Sequence, residues 1–168
     1  MICKNLKVSF ERNNAPIPLN LKNIVYYVKN KNYIIKFNHI TITLYNLKTK
    51  NINATNLKGK KDVFLCKKYL EENFHFKIIK IRIDNSLFSG KLYKQINLQD
   101  IMNKIRCEKN WSTNISLDSF PGLFIKPRNE FKGYPTIILF SNGSYVFIGG
   151  TQQKLLKESF YLLLNITS

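Results

Sequence analysis

The sequence predicts an α+β protein made of two similar repeats, each an antiparallel sheet covered by helices on one side. Segments in which apolar and polar residues alternate, as in strands, are followed by a helical pattern, and this order restarts near the middle of the chain. Residue detail repeats as well, since "LNLKNI" at 19–24 returns as "INLQDI" at 96–101. We therefore predict repeats over residues 1–76 and 77–168, whose strands form one curved antiparallel sheet. A chain of 168 residues can bury such a core without disulfide bonds.

The first repeat is predicted to contain four strands and two helices. The strands are "NLKVSF", "NYIIKF", "ITITLYNL" and "KNINAT". A short helix is predicted in "LNLKNIVYYVKN", after the loop "ERNNAPIP", whose two prolines cannot donate backbone hydrogen bonds. A longer helix is predicted in "LKGKKDVFLCKKYLEENF", where Val63, Cys66 and Leu70 share one stripe and lysines lie opposite.

The second repeat follows the same order. "FKIIKIRI" and "SLFSGKLY" are predicted strands, and "INLQDIMNKIRC" is a predicted helix with Leu98, Ile101, Met102 and Ile105 on one stripe. A polar connector, "EKNWSTNISLDS", separates this helix from a hairpin, and the last predicted helix is "TQQKLLKESFYLLLNI". Four helices on one side of the sheet would leave its other face open, which antiparallel sheets allow.

The stretch from Phe120 to Gly150 predicts a β-hairpin with apolar residues on both faces. Asn142-Gly143 is a strong turn signal because both residues tolerate positive φ. Counting in steps of two places one set of residues on the first face, namely Thr136, Ile138, Phe140, Ser144, Val146 and Ile148. The second face carries Ile137, Leu139, Tyr145 and Phe147. One face must cover the core, so the other needs a partner.

The charge balance favours an anionic partner. Lysine and arginine number 27 against 10 acidic residues, which gives a net charge of +17. A field of this sign favours nucleic acid or an anionic membrane surface. The longest apolar runs are too short to span a bilayer, and the first residues lack the apolar segment of a signal peptide, so we expect an intracellular protein. Three widely spaced cysteines, Cys3, Cys66 and Cys107, predict reduced thiols.

The segments "FPGLFIKP" and "TIILFSNGSYVFIGG" resemble the second repeat of the TATA-box-binding protein family. That repeat has an F-P-G-L strand start, an apolar strand ending in Phe, a Ser-Gly turn and a strand closing on T-G-A, where this chain has Ile148-Gly149-Gly150. The first half resembles the family's first repeat through "NATNLK" and "CKKYL". The resemblance implies a saddle with helices on its convex side and a concave sheet that straddles the DNA minor groove. The divergence suggests a viral member.

The resemblance also implies which side chains open base steps. Phe120 and Phe140 match one pair of aromatic wedges. In the first repeat Tyr33 and Tyr45 match by their positions near strand ends, whereas an ungapped register from "NINAT" puts Leu47 in the second place. Tyr45 and Leu47 lie on the same predicted face, so one of them should meet DNA.

Residues between the wedges are implied to line the groove. Asn85 matches the asparagine that the family carries before its first helix, and Asn5 is its partner in the first repeat. Thr55 matches the family's threonine before Gly, and Ile148 takes the equivalent place in the second repeat. The apolar floor is completed by Leu87, Ile138 and Val146. Lys126 stands where the family carries a phosphate-binding Arg, and further phosphate contacts are expected from Lys36, Lys48, Lys50, Lys91 and Arg128.

We expect a protein that binds and bends AT-rich promoter DNA to nucleate transcription initiation, without catalysis, cofactor or metal. His39 and His75 are the only histidines and lack metal-ligand spacing, and no Gly-rich phosphate loop occurs. Two alternatives remain: a single-stranded nucleic acid or RNA binder that stacks bases on Tyr and Phe, and a protein-interaction module of the same fold.

The expected partners are AT-rich duplex DNA, general transcription factors and the RNA polymerase machinery, with no membrane. The family carries acidic residues just before F-P-G-L that help to dock the B-type general transcription factor, and this chain has "SLDS" at 116–119 instead. Docking of a standard B-type factor is therefore in question. The expected location is the nucleus, or the host cytoplasm if the source is a cytoplasmic DNA virus.

Overall fold

A computed structural model describes residues 1–13, 26–29, 32–45, 49–114, 120–128 and 133–168. These residues form ten strands and three helices. They divide into two compact units, Lys4–Asp84 (the first unit) and Asn85–Ser168 together with Met1–Cys3 (the second unit).

The first unit is an antiparallel sheet with one helix described against it. Its elements are β1 (Ile2–Arg12, without its first two residues), β2 (Tyr26–Lys29), β3 (Asn32–Phe37), β4 (Ile40–Leu44), β5 (Asn51–Leu57) and α1 (Lys60–Phe74). The strand order is β2-β3-β4-β5-β1. The first residues of the next strand, β6 (Ile78–Lys91), also belong to this unit.

Alternation along these strands separates a buried face from a more polar one. Ile35 pairs with Ile42, and both are fully buried, as are Val8 and Ala54 on β1 and β5. The helix packs on this side, because Phe37 stacks on Tyr69 with ring centroids 4.2 Å apart. The core of the first unit therefore lies between the sheet and the apolar stripe of α1.

Asp62 ties the start of α1 to the β3–β4 turn. Gly59 precedes the helix and offers no side chain for capping, but Asp62 Oδ2 accepts hydrogen bonds of 2.7 Å from the Lys58 N–H and from His39 Nε2. Burial alone would raise the pKa of Asp62, yet these hydrogen bonds outweigh it and hold the pKa below its ordinary value. The ionised carboxylate thus stabilises this end of the helix.

Replacing Asp62 by alanine is expected to lower the free energy of unfolding by about 1–2 kcal/mol at neutral pH, because charge-assisted hydrogen bonds are lost. A carboxylate with a lowered pKa stabilises the fold above its ordinary pKa, and this contribution is lost as the pH falls through the lowered value. The difference between wild type and variant, measured by urea denaturation, should therefore shrink in acid. Glu72→Ala is the control, since Glu72 is exposed on the same helix and should cost little. A constant difference down to acid pH would contradict the assignment.

The second unit repeats the arrangement with a different surface. It contains the rest of β6, α2 (Leu98–Arg106), β7 (Trp111–Asn114), β8 (Gly122–Pro127), β9 (Thr136–Phe140), β10 (Ser144–Ile148) and α3 (Gln153–Thr167). The strand order is β6-β10-β9-β8-β7. Buried side chains from the strands and both helices form one core cluster, which includes Ile105, Leu123, Leu139, Phe147 and Leu163.

The three long predicted helices are confirmed. On α1, Cys66 and Leu70 of the predicted stripe are buried and Val63 is half-buried. Leu98, Ile101, Met102 and Ile105 of α2 are all buried. Asn97 caps this helix, since its side chain accepts a hydrogen bond of 3.0 Å from the Gln99 N–H. The β9–β10 hairpin also forms as predicted, with Gly143 at φ 78° and its N–H 3.0 Å from the Phe140 carbonyl.

Three local predictions were wrong. A helix is predicted over residues 19–30, but residues 26–29 form the strand β2. The other residues of that segment, where the fourth predicted helix would lie, are outside the described part of the chain. The connector after α2 contains the strand β7, where Trp111 is buried. Finally, the two strands predicted after residue 76 are a single strand, β6.

Cys3, Cys66 and Cys107 are thiols that are not joined in disulfide bonds. Burial, reinforced by the negative charge of Asp62, raises the pKa of Cys66 to about 12, so this thiol stays protonated at neutral pH. Among the described residues, none of the helices is both long and apolar enough to cross a membrane.

Candidate nucleic-acid interface

The face of the second unit that points away from its core is apolar. Val146 pairs with Ile138, and Ile148 pairs with Leu87, so these four side chains share one side of the sheet. The sequence neighbours of Ile138 and Val146, namely Ile137, Leu139, Tyr145 and Phe147, lie in the core cluster. Ile138 is almost covered by its surroundings, whereas Ile148 is 38% exposed. We call this side the open face of the second unit.

Three phenylalanine rings form one end of this open face. The ring of Phe120 lies with its centroid 5.8 Å from Phe140 and 5.1 Å from Phe124. All three rings are half-buried, so each packs against a neighbour and still presents an edge or face to solvent. Phe124 is paired with Ile138 on β9, which joins the ring cluster to the apolar floor.

Gly122 makes room for the Phe120 ring. It lies opposite Phe140 on the adjacent strand. A Cβ added here would lie 2.6 Å from the Phe120 ring and 3.2 Å from the Phe140 ring. A side chain at this position would therefore push Phe120 away from Phe140.

Phe124 was missed by the sequence analysis. The signal was available, because Phe120 and Phe124 are four residues apart and an even separation in a strand places both on one face. Lys126 continues this spacing; its Nζ lies 5.6 Å from the centroid of the Phe124 ring, and its side chain is exposed. The cation thus lies at the rim of the ring cluster.

The two predicted asparagines are both exposed. Asn85 Oδ1 accepts a hydrogen bond of 2.9 Å from the Ser86 N–H in the second unit. In the first unit Asn5 Oδ1 accepts one of 3.0 Å from the Asn56 N–H, beside an irregularity in the pairing of β1 with β5. In each case the amide oxygen is held by backbone, which orients the NH₂ group as the donor of the side chain.

The open face of the first unit, defined in the same way, is polar. Ser9 pairs with Asn53, and Asn53 pairs with Thr43, so the positions equivalent to Val146 and Ile138 carry an amide and a hydroxyl. Thr55 pairs with Thr41 on this face, as Ile148 pairs with Thr136 in the second unit. The two units therefore share a strand register and differ in surface chemistry.

The predicted tyrosine pair of the first repeat is not brought together on this face. Tyr33 pairs directly with the buried Leu44, which places it on the helix side, and its ring packs on Tyr26 at 5.5 Å. Tyr45 follows Leu44 and is exposed, with its hydroxyl 2.8 Å from Asn53 Nδ2. Cross-strand partners share a face, so register assigns Tyr33 and Tyr45 to opposite sides. Leu47 lies outside the described residues.

The predicted phosphate-binding side chains are scattered over the surface. Lys36, Lys50, Lys91 and Arg128 are all exposed, and Lys48 lies outside the described residues. Lys36 Nζ is 2.9 Å from Thr41 Oγ1 on the open face of the first unit, while Arg128 Nε donates to the Trp111 carbonyl at 3.1 Å. Within the described part of the chain, His, Cys, Asp and Glu do not gather into a group that could hold a metal ion.

Two units share one topology, an antiparallel sheet backed on one face by helix, with a second face that the described helices leave uncovered. They define an α+β repeat protein whose strongly basic charge suits a nucleic-acid partner. A family model described as "Transcription factor TFIID (or TATA-binding protein, TBP)" matches residues 80–167, which is more than half of the chain. The protein therefore belongs to the TATA-binding protein family.

The fold agrees with that assignment. The structure is similar to that of Methanococcus jannaschii TBP with a TM-score of 0.76, at 16% sequence identity, over 98% of this chain and 96% of that chain. A search of curated proteins found no significant match. The predicted α+β, TBP-like fold is thus confirmed, and the family points to DNA binding in transcription rather than to an enzyme.

Proposed function

We propose that this protein binds AT-rich duplex DNA in the minor groove, bends it, and so nucleates transcription initiation. Family membership and the net charge of +17 support a DNA partner. The observation that carries the proposal is the cluster of Phe120, Phe124 and Phe140 at the end of an apolar sheet face whose reverse side is already a complete core.

The ring cluster suits the opening of a base step. Separating two stacked base pairs costs a few kcal/mol in the minor-groove proteins that insert apolar wedges, this family among them. A flat apolar ring offsets that cost by replacing the lost stacking. Phe120 and Phe140 serve as the wedge pair, and Phe124 supports Phe120 from the side.

The remainder of the open face of the second unit suits A·T pairs. Their minor groove offers only the acceptors N3 and O2 and lacks the guanine amine. Leu87, Ile138 and Val146 form an apolar floor that can pack against a minor groove without guanine amines. The NH₂ groups of Asn85 and Asn5 supply hydrogen-bond donors to the A·T acceptors. Thr55 and Tyr45 on the first unit and Ile148 on the second would extend the contact with the groove. Lys126, beside the ring cluster, would bind a phosphate.

The same proposal covers the partners and the location. A DNA-bound member of this family would recruit general transcription factors and RNA polymerase, in the nucleus or in the cytoplasm of a host infected by a DNA virus. The segment "SLDS" at 116–119, where the family carries acidic residues, lies outside the described part of the chain. A partner adapted to this chain fits that departure better than a standard B-type factor.

Binding and bending of short duplexes test the proposal. We expect the full chain to bind an AT-rich duplex more tightly than a GC-rich one of equal length, and to bend it in a fluorescence energy-transfer assay. Salt should weaken binding, because each neutralised phosphate contributes about −0.9 to the slope of log K against log salt. Displacement by single-stranded poly-U, with no preference among duplexes, would instead support the single-strand alternative and contradict the proposal.

A further inference from the structure

The open face of the first unit carries a chain of hydrogen-bonding side chains, where the described part of the second unit has an apolar floor. Tyr45, Asn53, Ser9, Asp84 and Arg82 follow one another across it. Tyr45 Oη lies 2.8 Å from Asn53 Nδ2, and Ser9 Oγ lies 2.9 Å from Asn53 Oδ1. Ser9 Oγ also donates to Asp84 Oδ2, and Arg82 Nε donates to Asp84 Oδ1 at 2.7 Å. These side chains line a pocket of about 480 Å³ on this face.

Counting hydrogens gives the chain a direction. Ser9 has one hydroxyl hydrogen and faces two oxygens, those of Asn53 and Asp84. The carboxylate receives it, because charge-assisted hydrogen bonds are the stronger ones. The amide of Asn53 must then present its NH₂ group to Ser9 and its oxygen to Tyr45, an exchange that leaves the shape of the side chain unchanged. Tyr45 donates to Asn53, Asn53 to Ser9, and Ser9 to Asp84.

This direction leaves acceptors available on Tyr45 and Asp84, while Arg82 at the far end of the chain keeps its other N–H donors and Lys7 lines the same pocket. The Tyr45 oxygen has given its hydrogen to Asn53 and keeps its lone pairs. Asp84 accepts one hydrogen bond on each oxygen and has room for another on each. Burial would raise the pKa of Asp84, but the hydrogen bonds from Ser9 and Arg82 outweigh it and lower the pKa, so the group is an ionised acceptor at neutral pH.

The acceptors of Tyr45 and Asp84 do not match A·T pairs. The minor groove of A·T presents only acceptors, whereas the exocyclic amine of guanine is the one donor found there. Arg82, whose side chain is 72% exposed, carries a positive charge that offsets the repulsion between the Asp84 carboxylate and the DNA phosphates. In the second unit, Val146 and Ile138 occupy the positions equivalent to Asn53 and Thr43. Against these apolar side chains the guanine amine would lose its hydrogen bonds to water and gain none in return.

We propose that the first unit recognises the minor-groove amine of guanine, so that the preferred duplex carries G·C pairs in one half and A·T pairs in the other. Asp84 and Tyr45 are the specificity-determining residues. This asymmetry rests on the proposed function, since it requires the open faces to meet duplex DNA. It gives the protein a fixed orientation on its site, which two units of like chemistry would not provide.

Base analogues that change only the minor groove test this inference. In an AT-rich duplex, 2,6-diaminopurine replaces adenine at one position at a time and adds the amine without altering the major-groove pattern. At fixed salt, we expect the amine to tighten binding of the full chain several-fold at positions in one half, and to weaken it about tenfold at positions in the other, since an unpaired polar group is buried there. Inosine, which pairs as guanine does but lacks the minor-groove amine, should show no such gain in binding at the same positions.

Two variants assign the gain to named atoms. Asp84→Ala and, with a smaller change to the fold, Tyr45→Phe should each abolish the tightening in the first half and leave the penalty in the second half unchanged. An amine that weakens binding equally at every position would overturn the inference while leaving minor-groove binding in place, and so would an unchanged gain in both variants. Failure of the wild type to bind any duplex would overturn the proposed function and this inference with it.

Discussion

Phe140→Ala is expected to remove most of the DNA bending by this protein and to weaken its binding to an AT-rich duplex by at least about tenfold. The ring replaces stacking that is worth a few kcal/mol at an opened step, and alanine cannot. Phe120→Ala should act in the same direction. Because the two rings are in contact, with centroids 5.8 Å apart, the double variant should lose less than the sum of the single losses.

The measurement is the change in energy-transfer efficiency on a doubly labelled duplex, together with a binding isotherm at fixed salt. Phe64→Ala provides a matched control, since Phe64 lies on α1 of the first unit and its side chain is 66% exposed away from the proposed interface. It should bind and bend DNA as the wild type does. Full bending by Phe140→Ala, with its fold intact, would remove the ring cluster from the mechanism.

Phe147→Ala is expected to lower the free energy of unfolding by about 3–5 kcal/mol, the usual cost of deleting a buried aromatic ring. Phe147 is fully buried and packs on Tyr145 with centroids 5.4 Å apart. Its neighbour Val146 points to the open face and is half-buried. Val146→Ala should therefore cost less than about 1.5 kcal/mol in stability, yet weaken DNA binding because the floor loses apolar contact.

Urea denaturation at a common temperature compares the two variants, with the midpoint and slope fitted separately. The pair is informative because one residue step separates a side chain in the core from one on the proposed interface. Equal losses of stability in both variants would mean that the two faces of β10 are not distinguished in this way. A normal affinity of Val146→Ala for DNA would mean that the floor makes no contact.

The second unit was largely predictable from its sequence. Strand alternation and the Asn142-Gly143 turn are local signals, and they correctly separated Leu139 and Phe147 from Ile138 and Val146. The resemblance implied that the second pair lies on the open face, and the structure has the first pair in the core. The roles of Phe120 and Phe140 in DNA binding remain proposals, but their proximity is in the structure. Strand alternation counted from Phe120 would also have put Phe124, four residues later, on the same face.

The first unit was less predictable because its key features depend on pairing between distant segments. Position near a strand end suggested Tyr33 as a wedge, but its face is decided by its partner Leu44, which is eleven residues away in sequence and adjacent in the sheet. The sequence predicts a helix where β2 forms and a connector where β7 forms, since four residues are too few to show alternation. Burial of Trp111 against α2 is a tertiary contact with no local signature.

Local periodicity thus determined the α+β class, the buried stripe of α2 and the division of the β9–β10 hairpin into two faces. These follow from backbone geometry that every strand and helix shares. The tertiary structure alone decided that Ser9, Asn53 and Asp84 meet on one face of the first unit. Hydrogen bonds between residues 44 and 75 positions apart depend on strand register, and register is set by the packing of the whole sheet.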